Sequence, residues 1–273
     1  MATIILDDSG APKRRRHLVF AGLGLRTERI VLGGAFIALL FIVWQLVTAL
    51  GVEPPILLPS PADVVNAFGS LFSSSDIWAD LQESGKELLY GFALAAGVGI
   101  GAGLLIGWYP RLGYFFDPFV NFLYAVPRVA LGPLLIVWLG IGLNSKVALV
   151  FLIAVFPVLV NTSSGVRSLD PHLLRVARCF GATDLKIFRT IALPGSVPFI
   201  LGGLRLAIGQ ALIGVFVAEL LGAQHGVGAM IQNAAEQFQT NIVFAGLLMF
   251  AAAGMLLTAI VRWLERRFDA WRL

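Results

Sequence analysis

Six long apolar stretches constrain this chain more than any other feature. They run from Ile30 to Leu50, Leu88 to Trp108, Pro118 to Leu139, Val147 to Val160, Val197 to Leu221 and Ile242 to Val261. Crossing a hydrocarbon layer of about 30 Å takes about 20 helical residues, and most of the stretches have that length. A water-soluble fold would need a polar shell that this chain lacks: 58% of its 273 residues are hydrophobic, 13% are charged, and the mean hydropathy is +0.86. Barrel strands would alternate with period two over about ten residues, and these runs do not. The pattern predicts an all-α membrane protein with six transmembrane helices, the fourth short and carrying Pro157.

Charge sets the orientation. Lys13, Arg14, Arg15, Arg16, Arg26 and Arg29 precede the first span, and Arg111 follows the second. Arg167, Arg175, Arg178, Lys186 and Arg189 lie between the fourth and fifth, and Arg262, Arg266, Arg267 and Arg272 follow the sixth. The opposite connections, 51–83 and 222–241, hold no Lys or Arg, yet contain Glu53, Asp63, Asp76, Asp80, Glu83 and Glu236. By the positive-inside rule both termini and the 161–196 loop face the cytoplasm. The net charge of +4 follows from this topology and is no footprint for nucleic acid.

The first apolar stretch is too long for a secretory leader and no small-x-small cleavage site follows it, so it reads as a retained anchor. Residues 1–16 read as disordered, 1–29 as a cytoplasmic tail, 30–262 as one membrane domain, and 263–273 as a second cytoplasmic tail. From Leu57 to Phe68 a Pro-rich lead runs into a short amphipathic helix, capped by Ser60 or Asp63, with Val64, Phe68 and Leu71 on one face. Cys179, the sole cysteine, falls on the reducing side and reads as a small apolar filler. Gly91, Ala95, Gly99, Gly103 and Gly107 recur every fourth residue, a stripe that lets another helix approach closely. Gly203, Ala207 and Ala211, and Gly214, Ala218 and Gly222, repeat the device. These stripes serve packing within the chain, contact with another subunit, or both.

Between the fourth and fifth spans a basic segment runs from Arg175 to Gly181, then nine residues lead to Ile191, Leu193 and Pro194. Leu173, Leu174, Ala177, Phe180 and Ala182 form an apolar ridge flanked by Arg175, Arg178 and Lys186, which suits an amphipathic helix laid into a partner's groove. Gly181 breaks that helix, and a second short one runs from Thr183 to Thr190 before Pro194 ends it.

This loop resembles the EAA loop of the inner-membrane permeases of ABC importers. Flanking segments at 133–142, 218–222 and 226–232 are similar to the nitrate/sulfonate/taurine branch. The triplet that gives the loop its name reads Arg175, Val176, Ala177 here, without the signature glutamate. The resemblance implies a type I ABC importer permease fold with a coupling loop at 166–196, and a bacterial inner-membrane location. It implies ATPase contact through Arg175, Ala177, Arg178, Phe180, Gly181, Ala182, Asp184, Ile191, Leu193 and Pro194. It also implies two ATPase subunits, a second permease copy in a homodimer, and a periplasmic or lipid-anchored solute-binding protein. Since no Gly-x4-Gly-Lys-Ser/Thr sequence is present, ATP belongs to the partner, and no cofactor or metal set is expected here. Nitrate, sulfonates, taurine, bicarbonate and small heterocycles are all handled by such relatives.

Ionisable residues inside spans usually face a cavity or a partner. Arg128, bracketed by Pro127 and Pro133, counts to near the midplane of the third span. It either lines the path and attracts an anionic solute, or is a structural arginine paired with a carboxylate or capping carbonyls. Gln210 is placed along the same path. Glu219, near the outer end of the fifth span, reads as part of an outer gate or receptor contact, or as interface packing. Arg205 reads as snorkelling toward the cytosol, and His225, Gln232 and Asn233 as outer-loop residues by the pathway mouth. The alternative, a secondary transporter or channel independent of ATP, would call for an ion-coupling site and often repeated halves; neither is visible. An intramembrane enzyme would need His-Glu-x-x-His, Gly-x-Ser-x-Gly or an equivalent set, and none is present.

Overall fold

The computed structural model describes residues 25–268 apart from Pro55, with side chains described from 31 to 266; the N-terminal stretch read as disordered lies outside this range. The described residues form helices only. They are α1 (Leu25–Ala49), α2 (Pro61–Ser73), α3 (Asp76–Trp108), α4 (Pro110–Ala125), a 3-10 turn (Arg128–Leu131), α5 (Gly132–Leu139) and α6 (Leu143–Arg167). After these come α7 (Pro171–Cys179), α8 (Asp184–Ile187), a π turn (Phe188–Ala192), α9 (Leu193–Leu220), α10 (Val227–Glu236) and α11 (Thr240–Phe268). Five helical stretches are long and apolar enough to cross a membrane, or six if the bent pair α4 and α5 counts as one span. The chain divides into two compact units at Pro61. In the first, α1 exposes its apolar side chains from Val31 onward, and Trp44 Nε1 donates to the Pro59 carbonyl at 3.0 Å.

The second unit is organised on one seam. Val150 and Val158, Thr162 and Val166 of α6 face Gly91, Gly99, Gly103 and Gly107 of α3, so closely that a Cβ on these glycines would lie 2.5–2.7 Å from the opposing Cβ atoms. Each pair is 59 residues apart in sequence. The constant offset means that α3 and α6 run parallel, in register, over roughly four and a half turns. Ala95, fully buried, continues the stripe. The small-residue stripe of the second span is therefore spent on packing within the chain. α6 also meets α9, in antiparallel fashion: Gly214 abuts the Val150 backbone, Gly203 the Pro157 carbonyl, and Gly165 receives Phe199. The second stripe of small residues thus also closes an intrachain interface, and α9 carries α11 through the Arg205–Glu265 ion pair. Arg205 does turn toward the basic end of the bundle, but it finds a carboxylate there.

Several helix boundaries depart from the sequence pattern. The second span begins twelve residues early, at Asp76, because its polar first turns continue the helix beyond the apolar part. The fourth extends to 25 residues despite Pro157, whose ring removes one backbone donor and leaves the Ile153 carbonyl unclaimed within the helix. The third is not one helix. Pro127 has no N–H to continue α4, and the residue before a proline is pushed out of helical space; Val126 adopts φ −69°, ψ 133°, and α5 leaves at 86° to α4. Arg128 therefore opens a 3-10 turn at the elbow, level with Ile153 and Phe156 near the middle of α6. In α2 the inward face is Val64, Ala67, Phe68 and Leu71, close to the expected one. Gln232 and Asn233 lie on α10 and not in a loop.

The seam yields a stability test. Gly99→Leu should destabilise the protein by about 1–3 kcal/mol through overpacking, whereas Gly101→Leu, with nothing within 4 Å of its Cβ position, should stay within about 0.5 kcal/mol. Thermal unfolding in detergent compares the two.

Candidate functional site: a lever, an elbow and a capped outer helix

The basic segment folds into a short, well-terminated helix. Asp170 caps α7, accepting from the His172 amide at 2.7 Å, and Pro171 occupies the first helical position, where no donor is needed. At the other end the Gly181 amide donates to Arg178 O at 2.9 Å and the Ala182 amide to Ala177 O at 3.1 Å. That pair of bonds closes a Schellman motif, which requires a left-handed residue just past the helix, and Gly181 supplies it at φ +76°. The signature glycine is thus explained by backbone geometry.

The exposed apolar ridge differs from the expected one. Leu174, Ala177 and Ala182 are half-buried, while Leu173, Val176, Phe180 and Leu185 stand out, with Phe180 87% exposed. The turn at Gly181 swings α8 so that Leu185 joins the outward face. Arg175 lies 3.0 Å from His172 Nδ1 and Arg178 reaches Asp184 at 3.4 Å, both on the surface; an exposed pair of that kind adds little stability. Cys179 is exposed and fills no core position.

Pro194 does not end the helix. Ile191 sits within the π turn, where the Leu193 amide donates five residues back to Phe188 O. Lengthening one turn in this way accommodates the missing proline donor, so the path from Asp184 runs on to Leu220. Ile187 and Ala192 are fully buried, and Phe188 packs edge-on against Trp108 at the end of α3, centroids 5.3 Å apart. Arg167 forks onto Asp117 at 2.9 and 3.0 Å, tying the start of the loop to α4. The segment from Arg167 to Ala192 is therefore anchored on α3 and α4 and continues into α9.

At the elbow, Arg128 stands over the rings of Tyr124 (5.0 Å) and Phe156 (5.2 Å) and makes a long bond, 3.4 Å, to the carbonyl that Pro157 frees at Ile153. Among the described residues it has no carboxylate partner, and most of its five donors remain available. Pro127 beside it is exposed, and Gln210 is half-buried on α9.

These features match known proteins. Residues 95–270 fit the family model described as binding-protein-dependent transport system inner membrane component. The chain belongs to this family. It is 40% identical over 235 residues to a putative aliphatic sulfonates transport permease of Bacillus subtilis, covering 86% of this chain and 85% of that one. It is 31% identical to the taurine transport system permease of Escherichia coli, covering 90% and 91%. An inward-facing methionine ABC transporter structure aligns with TM-score 0.54 at 16% identity, over 67% of this chain and 93% of that one, a likeness of fold. The protein is thus the multi-pass inner-membrane permease subunit of an ABC importer. It is a transport component and not an enzyme; ATP is bound by a partner ATPase, and a binding protein belongs to the system.

Two polar clusters of this permease are buried, one around Glu219 with partners the sequence did not show, the other made of residues it did not single out. Glu219 is fully enclosed: its carboxylate accepts from Ser84 Oγ and from the Gly228 amide, each at 2.5 Å. Ser84 Oγ in turn accepts from the Val227 amide at 2.9 Å, and Asp80 accepts from the Gly226 amide at 2.8 Å. Three acceptors from two helices thereby take the orphan donors at the start of α10. Glu219 spends its oxygens on this cap, a packing role, and reaches neither Arg128 nor an open path in this conformation. The second cluster is Glu87, 0% exposed, paired with Lys146 at 2.6 Å. Glu87 is the next residue of the glycine stripe and Lys146 its partner at the same offset of 59, which is the signal that would have found them.

Glu219→Ala should destabilise the permease by about 1–3 kcal/mol, because the Gly228 amide stays buried without its acceptor. A lowered thermal midpoint of the purified protein checks this.

Proposed function

We propose that this permease forms the translocation pathway for a small anionic solute of the sulfonate, taurine or nitrate kind, two copies pairing about a two-fold axis. The observation that carries the reading is Arg128. It is a guanidinium held by two aromatic faces at the only bent span of the described residues, without a carboxylate to neutralise it. A fixed cation inside a membrane protein is costly and is retained where it faces a partner or a pathway. The relatives named for aliphatic sulfonates and taurine support the same class of solute.

The basic end of the bundle faces the cytoplasm, with both termini, and presents α7 and α8 to an ATPase on each copy. Leu173, Val176, Phe180 and Leu185 fill the apolar part of the ATPase groove, and Arg175 and Arg178 flank them. Ala177 and Ala182 pack behind that ridge, Gly181 sets its turn, Asp184 steadies Arg178, and Ile191, Leu193 and Pro194 carry the displacement into α9. ATP-driven closure of the ATPases moves the levers together and shifts the pair between inward-open and outward-open states, as a two-state change biased by nucleotide and by the loaded binding protein. Solute selection is shared with that binding protein, which docks on the acidic end.

Two measurements test this. In proteoliposomes containing permease, ATPase and binding protein, Arg128→Ala should lower ATP-driven uptake of ethanesulfonate or taurine about tenfold or more, with Arg128→Lys intermediate; unchanged uptake of every anion tried removes the assignment. Phe180→Ala, altering an exposed ring, should leave stability within about 0.5 kcal/mol of wild type, yet reduce co-purification of the ATPase severalfold.

A further inference from the structure

The stripe on α6 that faces the elbow continues outward. Lys146, Leu149, Ile153 and Phe156 follow one another at helical spacing. Arg128 bonds the Ile153 carbonyl and stands on Phe156, while Leu149 and Ile153 pack with Leu135 of α5 and Ala218 of α9. Seven residues separate Lys146 from Ile153, so Lys146 leaves α6 about 10 Å along the helix axis from the residue whose carbonyl Arg128 bonds. Lys146 is not sealed in. Its side chain is 14% exposed, and with Ser145 it lines a small open cleft of about 10 Å³ between α5, α6 and α9. Gly132, Gly142, Ala218 and Gly222 border that cleft, which leaves room for about one oxygen-sized group. Gly142 and Gly222 are at the acidic ends of α6 and α9, so the cleft lies between Arg128 and that end of the bundle.

Glu87 explains why such a cation need not trap what it attracts. One carboxylate oxygen meets Lys146 at 2.6 Å and the other has no hydrogen-bond partner. The pair is neutral overall, yet the ammonium has three donors and Glu87 accounts for one. Passage through a pore requires sites that bind enough to admit and weakly enough to release, arranged in succession.

We infer that Lys146 is a second solute-contacting residue: it takes an oxyanion oxygen of the solute in the Gly132–Gly142–Ala218–Gly222 cleft before the solute reaches Arg128, with Glu87 tempering its hold. The inference rests on the anionic-solute reading above. A purely structural ion pair would instead lock the end of the α3–α6 seam and make no difference to solute.

The test uses the assembled transporter. Binding of ethanesulfonate to the permease–ATPase complex is measured by calorimetry, and uptake in proteoliposomes with the binding protein. Glu87→Gln, which frees the ammonium while keeping the side chain's shape, should tighten ethanesulfonate binding about tenfold and slow release. Lys146→Met alone strands a buried carboxylate, so the informative removal is Glu87→Gln with Lys146→Met. That double variant should keep the wild-type thermal midpoint and ATPase co-purification but lose about tenfold in ethanesulfonate uptake, and Lys146→Arg should retain most of it. If the double variant transports as well as wild type, or if Glu87→Gln leaves binding unchanged, the pair is a structural clamp and the inference is overturned. Should the double variant fail to assemble, the Glu87→Gln binding measurement decides alone. Wild-type complex that carries none of ethanesulfonate, taurine and nitrate would overturn the anionic-solute reading itself, whereas loss of uptake in Arg128→Ala without any effect at Lys146 would overturn only this inference.

Discussion

The close approach of α3 and α6 is the constraint on which the rest of this structure depends. Helices in lipid gain little from the hydrophobic effect, because tails are as apolar as leucine, so association relies on van der Waals contact, and that requires small residues where backbones meet. Four glycines on α3 meet three valines and a threonine on α6 at a constant sequence offset of 59. A seam with one register holds the remaining helices in place: α9 packs against both α3 and α6, and α11 on α9. At the acidic end the same register brings Glu87 onto Lys146. At the basic end it places Trp108 where Phe188 can pack on it.

That seam makes the lever useful. A coupling helix transmits force only if its two ends are fixed to elements that move as bodies. Asp117 and Arg167 fix one end, and the Trp108–Phe188 contact with the buried Ile187 and Ala192 fixes the other. Between them the Schellman turn at Gly181 leaves Phe180 projecting. The α7–α8 segment therefore has a rigid seat and an exposed apolar tip, which suits the proposed docking on a separate ATPase.

Prolines divide the labour in this bundle by where their missing donor falls. Pro194 is absorbed by a π turn and the helix continues. Pro157 is absorbed within α6, but the carbonyl it frees draws Arg128. Pro127 is not absorbed at all, and the span turns through 86°. Elbow, freed carbonyl and cation coincide, so the unusual backbone and the unusual charge of the third span explain one another. Irregular backbone at membrane depth is tolerated where it is covered by protein or lines a cavity.

By itself the sequence determined everything governed by neighbours along the chain. Apolar run length gave the helical spans, the Lys and Arg asymmetry gave two distinct ends, and Gly181 gave the end of the loop helix, because hydropathy and backbone preference are local. Tertiary structure decided what depends on faces and registers. A proline in a span reads the same in each case, yet one breaks the helix and two do not, since only packing shows whether freed backbone groups find partners. Leu174 and Val176 are equally apolar, but the seat of α7 turns the first inward and the second outward. Glu219 read alone is a charge near a surface; folded, it is a cap for α10, because Ser84 lies 135 residues away in sequence and one hydrogen bond away in space.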